Sequence, residues 1–170
     1  METKTPIHVK IGEVKVGRSP DILKATLGSC LGVAFMWKEK GLFGLAHCLL
    51  PLSTTKETKE KIIGAKFVDQ AIDSLQILMK IPTGSLKEIE VVLSGGGNMM
   101  AQLATKNSQQ IGVLNAESAK KILKDLKMAI KHCEIGGEYG RQFILDCSTG
   151  EYEIVTLKNG TAIKSSSRSL

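Results

Sequence analysis

The order of apolar and polar positions predicts a strand-rich first part, followed by strands that alternate with two helices. Ile7, Val9 and Ile11 alternate with polar residues, the period-two pattern of a half-buried strand. Pro20-Asp21 marks a turn, and residues 22–27 read as a short strand entering the corner Gly28-Ser29. Residues 31–37 and 42–50 are almost wholly apolar, as in strands covered on both faces. Residues 52–61 are rich in Ser, Thr, Lys and Glu and predict an exposed loop. Phe67, Val68, Ala71, Ile72, Leu75, Leu78 and Met79 then share one helical face, which predicts a helix over 62–80 that stops before Pro82. A strand over 89–93 enters Gly95-Gly96-Gly97, and Asn115 is placed to cap a second helix. The buried face of that helix would carry Ala119, Ile122, Leu123, Leu126 and Ile130. Strands within 128–135, 142–146 and 152–157 follow, with turns at 148–151 and at Asn159-Gly160. Residues 165–170 predict a polar, mobile tail.

Hairpin turns outnumber crossovers in this series. The fold class expected is one mixed α/β domain over residues 1–164, with helices packed on a largely antiparallel sheet system. A chain of 170 residues can bury a single core of that kind. Composition narrows the function classes. The net charge of +6 is spread along the chain, and aromatic residues, at 4%, are too few for a base-stacking platform, so no nucleic-acid partner is expected. No apolar run approaches the ~20 residues that span a bilayer, which argues against membrane insertion. The N-terminal residues lack a hydrophobic signal segment, so the expected location is the cytoplasm, where thiols stay reduced. Cys30, Cys48, Cys133 and Cys147 form no C-x-x-C pair. Neither a disulfide framework nor a standard zinc motif is expected, and no cofactor is called for.

Glycine-rich stretches invite a phosphate-binding reading that their context refuses. Gly95-Gly96-Gly97-Asn98 follows a strand but ends in neither the Walker pattern nor the dinucleotide fingerprint. Gly95 and Gly96 read better as a tight turn that lets backbone pass close to another segment. Gly136-Gly137 and Gly140-Arg141 read the same way, with Arg141 either a surface cation or a group that reaches an acidic partner or substrate.

Cys30 and His47 carry the chemistry. Each borders an apolar, strand-like run, and their spacing suits neighbouring strands that bring a thiol and an imidazole together. The corner Gly28-Ser29 would leave backbone N–H groups free to face an oxyanion. Cys48, next to His47 on a strand, points to the opposite face and is expected to pack rather than react.

Leu27-Gly28-Ser29-Cys30, Ala46-His47 with Leu50-Pro51, Gly95-Gly96 with Met99, Ile111-Gly112 with Asn115, and Gly136-Gly137 with Gly140-Arg141 occur in that order. In this ordered set the chain resembles the CheD family of receptor-modifying glutamine deamidases over nearly its whole length. The resemblance implies a core related to bacterial deamidating toxins. It also implies hydrolysis of glutamine amides in the cytoplasmic helices of methyl-accepting chemotaxis receptors, and a CheC-type chemotaxis phosphatase as partner. Cys30 and His47 would then be the nucleophile and its base. The family's third catalytic member is a threonine six residues before the nucleophile, where this chain has Lys24. Thr26 is the nearest hydroxyl and, with regular strand parity, would face the side of Cys30. Either Thr26, a backbone carbonyl or a water would then orient His47. Two other readings stay open: a binding module that regulates the phosphatase without turnover, and a thiol-based redox or metal protein.

Overall fold

The computed structural model describes residues 4–53, 62–98 and 106–168. Ten strands form two five-stranded sheets, and two helices cover one of them. The first sheet has the order β1 (Pro6–His8), β3 (Ile22–Leu27), β8 (Gly140–Asp146), β9 (Glu151–Lys158), β10 (Thr161–Arg168). The second has the order β2 (Val14–Gly17), β5 (Leu42–Cys48), β4 (Leu31–Trp37), β6 (Glu90–Gly95), β7 (Ala129–Ile135). All pairings are antiparallel except β1 with β3 and β6 with β7. Helix α2 (Lys106–Asp125) makes the crossover that a parallel β6–β7 pair requires.

The unbroken apolar runs explain the layering. Every residue of β4 and β5 is buried, because the second sheet is covered on both sides. Ala34, Met36, Phe43 and Leu45 pack against Leu23, Ala25, Phe143 and Leu145 of the first sheet. Leu31, Val33, Phe35, Ala46 and Cys48 pack against α1 (Val68–Leu78) and α2, through Ala71, Ile72, Leu75, Ala119 and Leu123. The mixed domain with helices on mostly antiparallel sheets is therefore the observed one, built as sheet, sheet and helices. Period-two alternation sends successive residues of one strand into two different cores.

Several boundaries differ from expectation: the strand expected through Val9 and Ile11 ends at His8, and Ile11 is exposed in a turn. Helix α1 begins at Val68 rather than at 62, because residues before it bond sideways: Ala65 N–H donates to Gly12 (2.8 Å), and Leu50 N–H to Lys66 (2.9 Å). Helix α2 begins well before Asn115, which lies inside it, and Ile130 belongs to β7. Residues 165–168, expected in a mobile tail, lie in β10, where Ser165 pairs with Val155 and Ser166 with Ile154. The Asn159-Gly160 turn, with both residues at positive φ, folds that segment back as a hairpin. Strand β2 had no counterpart in the sequence reading. The expected loop at 52–61 falls largely outside the described residues.

Candidate active site

Residues 28–30 are the link by which the chain leaves the first sheet at Leu27 and enters the second at Leu31. Their carbonyls are all held. Gly97 N–H donates to Gly28 (2.9 Å), Gly96 N–H to Cys30 (2.8 Å), and the Asn115 side-chain amide to Ser29 (3.3 Å). The N–H groups of Ser29 and Cys30, by contrast, donate to no acceptor among the described residues. A corner with satisfied carbonyls and unsatisfied N–H groups presents positive backbone dipoles, the arrangement an oxyanion site needs. Gly28 and Ser29 lie in this link, and Cys30 is 6% exposed between the sheets.

His47 is held from the loop between β1 and β2. Its N–H donates to Glu13 (3.0 Å), and its carbonyl accepts from Gly12 (2.8 Å). Nδ1 lies 2.9 Å from the Val9 carbonyl. A carbonyl can only accept, so Nδ1 carries the proton, and in the neutral ring Nε2 carries the lone pair. That Nε2 is buried without a hydrogen-bond partner among the described residues. The register places His47 opposite Gly32, two residues beyond Cys30, on the side of the sheet that Cys30 also faces.

Burial sets the charge state of the pair. It pushes the Cys30 thiol above its usual value of 9.0. It pulls the His47 imidazole below 6.5, against smaller opposing effects of the Val9 hydrogen bond and the Glu13 charge. Thiol and imidazole are therefore both neutral near neutral pH, with the bare nitrogen ready to accept a proton. The other thiols are less suited to reaction. Cys48 lies in the helix-side core, where burial raises its pKa far beyond reach, and Cys147 is pushed up to about 12.

Thr26 is not part of this arrangement. It is exposed on the outer face of the first sheet, paired with Gln142, while Leu23, Ala25 and Leu27 point inward. The parity argument fails because the strand ends at Leu27, and the link to the second sheet resets which side is inside. The orienting group is a backbone carbonyl. Val9, whose own N–H donates to the Lys24 carbonyl (2.7 Å), holds Nδ1. Main-chain atoms thus join position 24 to the imidazole, whatever side chain stands there. Thr26→Val is expected to leave turnover within about twofold of wild type, since an exposed position away from the site contributes little; a steady-state rate comparison checks this.

Gly95, Gly96 and Arg141 converge under the corner. Gly95 has φ +103° and passes so close to the Cys30 carbonyl that any Cβ would overlap it. Arg141, nearly buried, donates to the carbonyls of Gly136 (2.8 Å) and Gly95 (3.3 Å). These bonds brace the two glycine turns beneath Cys30.

Asn115 is the site residue that the sequence reading misassigned. It is fully buried inside α2, and its amide nitrogen donates to Ser29 (3.3 Å) and Leu49 (3.1 Å). One side chain so ties the thiol's corner to the end of the imidazole's strand. Asn115→Ala should cost about 1–3 kcal/mol through the carbonyls it strands. Its turnover should fall with little change in KM, measurable by denaturation and steady-state kinetics.

Among the described residues, no three His, Cys, Asp or Glu side chains gather as a metal would require, and no helix is long and apolar enough to cross a membrane. The family model described as CheD chemotactic sensory transduction matches residues 49–156. The chain is 35% identical over 161 residues to the probable chemoreceptor glutamine deamidase CheD 2 of Ruegeria sp., covering 87% of this chain and 90% of that protein. It is 34% identical over 151 residues to the probable chemoreceptor glutamine deamidase CheD of Bdellovibrio bacteriovorus, covering 88% and 94%. The namesake of Methanococcus vannielii is 32% identical over 159 residues, covering 93% and 97%. Relatives at 32–35% identity that cover 87–93% of this chain, with a family model over residues 49–156, settle the kinship: the chain belongs to the CheD family.

Proposed function

We propose that this chain hydrolyses glutamine side-chain amides of chemoreceptors, with Cys30 as nucleophile and His47 as general base and acid. The observation that carries the reading is the buried Nε2 of His47, its tautomer fixed by Val9, on the same side of the sheet as a corner whose Ser29 and Cys30 N–H groups, like Nε2, have no partner among the described residues. The names of the relatives supply the substrate class. Nε2 takes the thiol proton as sulfur attacks the amide carbon, and the N–H groups of Ser29 and Cys30 hold the oxygen that becomes negative. The imidazolium returns its proton to the amide nitrogen, the C–N bond breaks, and ammonia leaves a thioester on Cys30. Water gives a proton to Nε2 and attacks the thioester. Glutamate forms, and the thiol is restored. The same steps would cleave a glutamate methyl ester, with methanol leaving. Such an enzyme works in the cytoplasm on the receptors' cytoplasmic helices, each turnover placing a new negative charge on a helix. A CheC-type phosphatase is the expected regulatory partner.

The test is intact-mass measurement of receptor cytoplasmic fragments incubated with the protein. A gain of about one dalton per converted glutamine is expected with wild type and none with Cys30→Ala. Absence of any gain with fragments of the cognate receptors, alongside retained phosphatase binding, would replace the enzyme by a regulatory binding module.

The charge states also fix the pH profile. The base must be neutral, so kcat/KM is expected to fall on acidification with a midpoint below 6.5, the ordinary imidazole value from which burial lowers His47. Because the Cys30 thiol stays protonated up to 9.0 and beyond, no thiol ionisation should appear between that acid limb and pH 9.0. An alkaline limb centred between 6.5 and 9.0, where an imidazolium would lose its proton, would point instead to a thiolate–imidazolium pair.

A further inference from the structure

At the far end of β4 and β5, about 20 Å along the strands from Cys30, lies a hollow that the chemistry above does not use. It has a volume of about 440 Å³. Val16, Leu42, Leu78 and Met79 give it an apolar lining, and Trp37 forms one wall. Leu78, 39% exposed, is a large side chain left open to solvent there. Three cations, Arg18, Lys40 and Lys80, complete the lining, which contains no carboxylate.

None of the three cations is in an ion pair among the described residues. Of the carboxylates near the same segments, Glu88 accepts from Trp37 Nε1 (2.9 Å), Glu90 pairs with Lys38 (2.9 Å), and Asp21 accepts from the Arg18 main-chain N–H (3.1 Å). Two of the cations are also held in place: Arg18 donates to the Lys40 carbonyl (3.0 Å), and Lys40 lies over the indole of Trp37 (5.9 Å). Lys80 follows α1 at φ +51°, a backbone state that favours glycine. An apolar floor inside a ring of unneutralised cations is complementary to a carboxylate-bearing apolar group. A nucleobase fits less well, because the indole N–H is already used and Lys40 occupies its face.

We propose that this hollow docks an acidic peptide segment of a protein partner, one bulky apolar side chain entering the floor while flanking carboxylates meet Arg18, Lys40 and Lys80. The contact is separate from the Cys30 site and does not depend on its chemistry. It gives the domain a hold on a partner some distance from the reacting residue.

Trp37 is the chain's only tryptophan, so its fluorescence reports the hollow directly. The full chain is titrated with a blocked peptide of glutamates around a central leucine, with a lysine analogue and with ATP, at low and raised salt. The glutamate peptide should give a saturable change that weakens as salt screens the charges. Binding should be about tenfold weaker in the variant R18E/K40E/K80E, and unchanged in K121E/K124E on the exposed face of α2. Lys80→Gly removes one cation while relieving the positive φ. It should weaken binding about twofold to threefold without lowering the melting temperature, which separates lost charge from lost folding. No saturable change with the peptide, equal binding by the triple variant, or saturation by ATP alone would overturn the proposal. Turnover of a short glutamine peptide by the triple variant should match wild type, so failure here is distinguishable from failure of the Cys30 chemistry.

Discussion

Cys30→Ala is expected to reduce deamidation by about 10⁴-fold or more, because it removes the thiol that the proposed chemistry makes the covalent nucleophile. Cys48 does not substitute for it, since it faces the helices and its thiol is held strongly protonated. His47→Gln should lower the rate by about 10²–10⁴-fold, the usual contribution of a positioned acid–base group. The double variant should be no slower than Cys30→Ala, because base and nucleophile act as one unit. Release of ammonia from a receptor fragment, followed over hours, measures all three. Each variant should keep the wild-type melting temperature within a few degrees. Cys30 Sγ has no hydrogen-bond partner among the described residues, whereas His47→Gln gives up the Nδ1 bond to the Val9 carbonyl and should sit at the lower end of that range. Normal turnover by Cys30→Ala would remove the thiol from the mechanism altogether.

Gly95→Ala is expected to be the most damaging substitution of a single methyl group. At φ +103° an alanine is strained before any contact is considered, and its Cβ would overlap the Cys30 carbonyl. Strain and overpacking together should cost about 2–4 kcal/mol, read as a lower denaturation midpoint at unchanged slope. The activity loss should exceed what the unfolded fraction explains, because relief of the overlap moves the residue that carries the nucleophile. Gly112→Ala, where α2 passes against the Gly96 backbone, should destabilise by the same overlap but displace the corner less directly. Comparing activity per folded molecule in the two variants separates these effects.

The parts of this fold that sequence patterning exposes are those where side chains face one environment. Residues 31–37 and 42–48 are apolar but for His47 because two layers cover them, and that is visible in the letters alone. Cys30 and His47 stand out because the proposed chemistry needs those two side chains, and the glycine turns beneath them because only glycine accepts the backbone geometry. Other features leave no such trace. Val9 orients the imidazole through a carbonyl that every residue possesses, so nothing in its side chain announces the role. Asn115 resembles a cap because a buried amide inside a helix and an amide at its start are the same letter. Periodicity gives the facing of a strand but not the sheet it joins. The passage from one sheet to the other at residues 28–30 therefore defeated the parity argument for Thr26.

That passage has a kinetic corollary. The nucleophile's corner is held by residues 96, 97 and 115, and the base by residues 9 to 13, all far away in the chain. No local segment can organise the pair on its own. The catalytic geometry is thus a property of the docked sheets, to be assembled late in folding and surrendered early in any opening of the seam between them.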